Sequence, residues 1–141
     1  MRIPNWPELL VEYLDRRKDE RFQWGVMDCC TFACDWVEEI TGVDPMAELR
    51  HKYSGPITAQ KAMIRFTESG DGLAACAQKL AFKYGFNEVK PSEAQRGDVV
   101  LIDFGSALAL GIVGPDHHLH GAGPQGIVTV PLEAALRAWR I

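Results

Sequence analysis

Apolar residues recur at helical spacing through most of the first 85 positions of the chain. This pattern predicts helices over residues 5–18, 29–41, 58–66 and 72–84. The second helix has the clearest ends, because Asp28 is a favourable N-cap and Gly42 is a typical C-terminal stop. Its apolar stripe includes Phe32, Trp36 and Ile40, so we expect it to pack in the core.

The period changes in the second half of the chain. Short runs rich in Val, Ile and Leu alternate with turn residues, and they predict strands over residues 86–89, 98–104, 108–113 and 127–130. Pro131 is expected to open a final helical turn that runs to about Ala138. Helices followed by strands predict an α+β fold, in which the helix that starts at Cys29 packs on an antiparallel sheet.

Composition narrows the function classes. A chain of 141 residues has the size of one ordinary domain. Its net charge of -4 argues against nucleic-acid binding, which requires clustered positive charge. We expect no membrane span and no signal peptide, since Trp6 and prolines stand where a signal peptide would need an apolar run. Three of the four cysteines lie within six positions, which argues against disulfides and for synthesis in the cytoplasm.

Cys29 is the residue with the clearest chemical potential. It would occupy the first turn of a helix, where unpaired backbone N–H groups stabilise a thiolate. The alternative is that Cys29 only packs as a small hydrophobic residue, as we expect for the other three cysteines. These are Cys30, Cys34 and Cys76.

Several short motifs resemble those of the NlpC-like cysteine peptidases, which have a papain-like fold. The motifs are Trp24-Gly25, the run Asp28 to Phe32, the run Arg96 to Leu101 and the triplet Gly111 to Val113. The C-terminal segment with Ala138-Trp139-Arg140 is similar to the small branch of that superfamily found in phage and prophage tails. The resemblance implies a single NlpC-like domain over residues 1–141, with N-terminal helices on an antiparallel sheet or half-barrel.

The resemblance also assigns roles to residues. It implies that Cys29 is the nucleophile and that Trp24, Gly25 and Asp28 bind substrate. The family's general base falls at Ala109, which can neither accept nor hold a proton. The family's third polar position falls near His120, so we expect His120 to be the substitute base if the site is active.

The histidines leave alternatives open. His118 could replace His120 as the base, with Asp116 or Asp103 orienting the imidazole; or the histidines could be solvent-facing loop residues. The sequence argues against a zinc site, because it has neither a C-x-x-C pair nor an H-x-x-x-H helix. We therefore expect no metal and no other cofactor.

Three functions remain at this point. The first is a phage-tail-associated cysteine peptidase or amidase that cuts cell-wall peptides of peptidoglycan, with other tail proteins as partners. The second is an inactive structural or tail-assembly protein on the same fold, made in the cytoplasm and assembled into a tail particle. The third is a module that binds a small-molecule or lipid amide.

Overall fold

The computed structural model describes residues 2–141, which form four α-helices and six β-strands. The helices are α1 (Trp6–Arg17), α2 (Cys29–Thr41), α3 (Pro56–Thr67) and α4 (Gly72–Tyr84). These bounds confirm the helices predicted from the sequence to within two residues at each end. Among residues 2–141, no helix combines the length and hydrophobicity that crossing a membrane requires.

The strands follow the four helices in the sequence and form one antiparallel sheet. They are β1 (Asn87–Val89), β2 (Val99–Asp103), β3 (Leu108–Val113), β4 (Leu119–Gly123), β5 (Gly126–Val130) and β6 (Ala135–Arg140). Their spatial order is β1-β6-β2-β3-β4-β5, so β6, the sixth strand along the sequence, pairs with both β1 and β2. The α+β class with helices first is therefore confirmed.

Two C-terminal elements differ from the sequence expectation. The helical turn predicted over residues 131–138 is wrong: a single turn of 3-10 helix spans Leu132–Ala134, and strand β6 follows. Alanine, leucine and arginine favour helix, but pairing with two neighbouring strands outweighs that local preference. The local pattern does not predict strand β4, since its sequence, LHGAG, contains few residues with strand propensity; the resemblance alone implies a strand near His120.

Helix α2 packs on the inner face of the sheet, which is the face that contacts the helices. Phe32, Trp36 and Ile40 are completely buried there. Trp36 Nε1 donates a hydrogen bond of 2.9 Å to the carbonyl oxygen of Gly97, just before β2. Tyr13 Oη of α1 donates to the carbonyl oxygen of Phe32 at 2.5 Å. These contacts fix the start of α2 relative to both α1 and the sheet.

The buried carboxylate of Asp98, just before β2, connects the N-terminal segment of the chain to the end of β6. Asp98 is completely buried, and its two oxygens pair with Arg2 at 2.6 Å and with Arg140 at 3.0 Å. The backbone N–H of Gln95 donates to the same carboxylate at 2.8 Å. The charge is thus compensated on both sides, as a buried carboxylate requires.

Candidate thiol site at the start of helix α2

A cavity of about 180 Å³ lies at the start of α2, and we call it the thiol cavity. Most of its wall is apolar and comes from the segment after α2 and from helices α3 and α4. The apolar wall includes Met46, Leu49, Ala59, Ala62, Met63 and Leu73. Three thiols, those of Cys29, Cys30 and Cys76, line it together with Asp28 and Tyr53. Cys29 therefore faces a mainly hydrophobic space that is partly open to solvent.

Asp28 holds the start of α2 in place. Its Oδ1 accepts a 2.8 Å hydrogen bond from the Thr31 N–H, and its backbone N–H donates to Thr31 Oγ1 at 2.8 Å. Its Oδ2 accepts from the Gly25 N–H at 2.8 Å and from Tyr53 Oη at 2.6 Å. The predicted N-cap is confirmed, and the carboxylate accepts three hydrogen bonds from the protein.

Gly25 and Trp24 have different places at this site. Gly25 has a φ of 81°, which favours glycine, and it serves as a backbone donor to Asp28. Trp24 lines the thiol cavity, is 37% exposed and makes an edge contact with the ring of Tyr53. Of the residues that the resemblance assigned to substrate binding, Trp24 is the one whose side chain a ligand in the cavity would contact, because Asp28 is occupied by its own partners.

The Cys29 thiol is set up to ionise. Its pKa is lowered from the ordinary value, chiefly because the Cys30 thiol hydrogen-bonds to it, and the backbone N–H of Leu110 acts in the same direction against the effect of burial. The two sulfur atoms lie 4.0 Å apart. The helix N-terminus supplies further positive potential. Cys29 is consequently the cysteine from which a nucleophilic thiolate forms most readily.

The other thiols are held in the neutral form. The hydrogen bond to Cys29, together with burial, raises the pKa of Cys30 far above its ordinary value. Burial raises the pKa of Cys34 as well, and it raises that of Cys76 to about 11. Cys34 and Cys76 are 5% and 1% exposed, as expected for cysteines that pack in the core. All four are free thiols.

His120 lies in a different place from Cys29. Its imidazole borders a groove between α1 and β5, next to Leu14, Lys18 and Ile127. In the β3–β4 ladder His120 pairs with Ile112. The β3 residue whose N–H contacts the Cys29 thiol is Leu110, two positions from Ile112, so the two levels are offset by about 6.6 Å along the strand. The structure therefore does not bring the predicted base and nucleophile together in one cavity.

The carboxylates proposed to orient an imidazole are also elsewhere. Asp116 lies 3.2 Å from His118 Nδ1 and 3.7 Å from His120 Nε2, and burial lowers the pKa of His120. Asp103 accepts a hydrogen bond from the Gly105 N–H at 2.8 Å in the β2–β3 turn. The structure thus groups Asp116 with two histidines, away from the thiol. In residues 2–141, no cluster of three or more potential ligands has a geometry suited to a metal ion.

Ala109, where the family pattern would place the base, points away from the thiol. Ala109 pairs with Ile102 in the β2–β3 ladder, and paired residues share one face of a sheet. Ile102 belongs to the core on the outer face of the sheet, opposite α2. Leu108, which neighbours Ala109 in sequence, faces the thiol cavity beside Cys29. Leu108 therefore occupies the position from which a β3 side chain can reach the sulfur.

Two residues of the site were not anticipated from the sequence. Tyr53 lies in a weakly patterned loop, and its proximity to Asp28 depends on tertiary structure. Leu108 could have been found from strand alternation, because Leu110 and Ile112 belong to the core that contains α2, and Leu108 has the same parity. Cys76 was predicted as core packing, and it also lines the thiol cavity.

Comparison with known sequences identifies the family. No curated protein matches this sequence at a significant level. A family described as a domain of unknown function (DUF6950) matches residues 1–141. The chain therefore belongs to the DUF6950 family.

Proposed function

We propose that this protein is an NlpC-type, papain-like domain of a phage or prophage tail. In this proposal the thiol cavity around Cys29 binds a ligand, but the protein does not hydrolyse it. Two features support the papain-like assignment: a cysteine begins the central helix, and that helix packs on an antiparallel sheet. The sequence motifs quoted above occur in the order that the resemblance requires. The C-terminal motif with Trp139 supports the tail-associated branch.

The observation that carries the proposal concerns the surroundings of Cys29. Among the described residues that line the thiol cavity, none is a histidine or a lysine. Asp28, which does line it, accepts hydrogen bonds from Gly25, Thr31 and Tyr53. A general base and acid contribute roughly 10²–10⁴ to the rate of such reactions. A thiol without either group can bind or capture a carbonyl compound but releases an amine from it very slowly.

Retention of the cavity still supports a binding role. Trp24 and Leu108 are 37% and 47% exposed, so apolar surface continues from the cavity to solvent. Exposed apolar surface of this kind often marks contacts with a ligand or a partner protein. A cell-wall peptide or a segment of another tail protein is the ligand that the resemblance supports.

Turnover of peptidoglycan fragments tests the proposal directly. The wild-type protein and Cys29→Ser are incubated with purified muropeptides, and new amino groups are quantified by chromatography and mass spectrometry. We expect no difference between the two proteins. Release of amines by the wild type and its loss in Cys29→Ser would establish a cysteine peptidase or amidase and overturn the proposal.

A further inference from the structure

The wall of the thiol cavity selects against charged ligands. Asp28 is the only acidic or basic residue among the described residues around the cavity, and it is 1% exposed. A charged group that entered the cavity would lose hydration without gaining an ion pair. The part of a ligand that fills this space is therefore an uncharged, apolar group.

The volume limits the length of that group. An apolar cavity of about 150 Å³ accommodates benzene, a molecule of six carbons. By that measure the thiol cavity, at about 180 Å³, holds a hydrocarbon chain of about six to eight carbons. An acetyl group leaves most of the volume unfilled, and a chain of sixteen carbons exceeds it.

The lack of a proton donor beside Cys29 restricts the reactions that its thiol can carry out. Expulsion of an amine from an amide requires a proton donor, whereas a thioester expels a thiolate that needs no proton. We propose that Cys29 accepts a medium-chain acyl group from an acyl thioester and that the thiol cavity holds its hydrocarbon chain. This inference rests on the proposed function, because both need the cavity to be a binding site.

The reaction is a thiol–thioester exchange that balances without a further reagent. The Cys29 thiolate attacks the thioester carbonyl, the new carbon–sulfur bond forms at Cys29, and the bond to the donor sulfur breaks. The electron pair leaves with the donor thiolate, which takes a proton from solvent. Because no histidine or lysine lines the cavity among the described residues, and the Asp28 carboxylate accepts hydrogen bonds from Gly25, Thr31 and Tyr53, water is not activated and the acyl group remains on Cys29.

Leu108 and Trp24 provide the entrance for such a donor. Both side chains line the cavity and are partly open to solvent. An acyl chain can therefore pass between apolar surfaces from the outside to the thiol, while the polar part of its thioester carrier stays in water. The partial exposure of Cys29 itself agrees with this path.

Intact-protein mass spectrometry tests the inference with acetyl-, octanoyl- and palmitoyl-coenzyme A as acyl donors. We expect one octanoyl group per wild-type protein, on Cys29, at a rate at least about tenfold above that of acetyl transfer, since the longer chain buries more apolar surface. Cys29→Ser should gain no acyl group. Ala59→Leu fills the cavity and should slow octanoyl transfer more than acetyl transfer, whereas Ala75→Leu, outside the cavity on α4, should change neither.

Equal rates for acetyl and octanoyl donors, acylation of another cysteine, or no acylation would overturn the inference. The comparison of chain lengths uses the unmodified chain, so it decides the matter even if Ala59→Leu does not fold. Failure here is separable from failure of the proposed function: absence of both acylation and muropeptide turnover contradicts the acyl inference alone. Muropeptide turnover that depends on Cys29 contradicts the proposed function whatever the acylation result.

Discussion

Tyr53 donates its phenolic hydrogen to the N-cap residue Asp28, with 2.6 Å between Tyr53 Oη and Asp28 Oδ2. The two residues are 25 positions apart, and the bond ties the loop after α2 to the first turn of that helix. The same carboxylate also accepts the N–H groups of Gly25 and Thr31. One carboxylate therefore holds the helix start, the preceding turn and one wall of the thiol cavity.

Replacement of this phenol should weaken the fold. Tyr53→Phe removes a hydrogen bond to a carboxylate, and we expect the free energy of unfolding in urea to fall by about 1.5–3 kcal/mol at pH 7. Burial and the neighbouring Asp28 raise the pKa of Tyr53, so the folded protein binds the phenolic proton more tightly than the unfolded chain does. This contribution is complete below pH 10, the ordinary tyrosine pKa, and is lost as the pH rises above it.

The difference between wild type and Tyr53→Phe should therefore narrow above about pH 10. Urea titrations at several pH values measure it. A difference that stays constant up to pH 11 would mean that the Tyr53 phenol keeps an ordinary pKa.

The four thiols should react in a fixed order. Because the pKa of Cys29 is lowered and that of Cys76 is raised to about 11, iodoacetamide at pH 6 should modify Cys29 well before the others. Peptide mapping by mass spectrometry after brief exposure gives the order, and Cys29→Ser serves as the control that should lose the fast phase. Equal rates at all four sites, or labelling only in denaturant, would show that Cys29 is ordinary core.

An introduced imidazole should activate the thiol from one strand position and not from its neighbour. Leu108→His directs the ring into the thiol cavity, where it can form an ion pair with the Cys29 thiolate and raise its alkylation rate at pH 6. Ala109→His, the matched control, directs the ring to the outer face with Ile102 and should leave the rate unchanged. Activation by Ala109→His instead would contradict the strand register described above.

The buried carboxylate of Asp98 should matter far more than an exposed one. Asp98→Asn leaves Arg2 and Arg140 without their shared partner and should lower the free energy of unfolding by about 3 kcal/mol. Glu88→Gln breaks the pair with Arg137 at the surface, and we expect a loss of about 0–1 kcal/mol. Thermal or urea unfolding of the two variants provides the comparison, and similar losses would refute it.

Local sequence signals were sufficient for helix α2. Its N-cap Asp28, its apolar spacing and the left-handed Gly42 at its end all act within the segment itself, and the structure has all three. Strand β6 shows the opposite case. Its residues, ALRAWR, favour helix in isolation, and they become a strand because they fill the space between β1 and β2.

The site was predictable only in part for a related reason. The position of Cys29 follows from the helix start, which is local. Whether His120 reaches Cys29 depends on how β4 is aligned with β3, and a shift of one or two residues along a strand changes which side chains meet. Ala109 and Leu108 differ by one position, yet they lie on opposite faces of the sheet.

The central place of strand β6 also has a consequence for biosynthesis. While a ribosome is still making residues 135–140, β1 and β2 lack the neighbour that lies between them, and both present open edges. Synthesis proceeds at about 5–20 residues per second, so the earlier helices have time to form and pack together before the inner strand of the sheet is available. The nascent chain is therefore most exposed to aggregation and to chaperones in the last moments before β6 emerges.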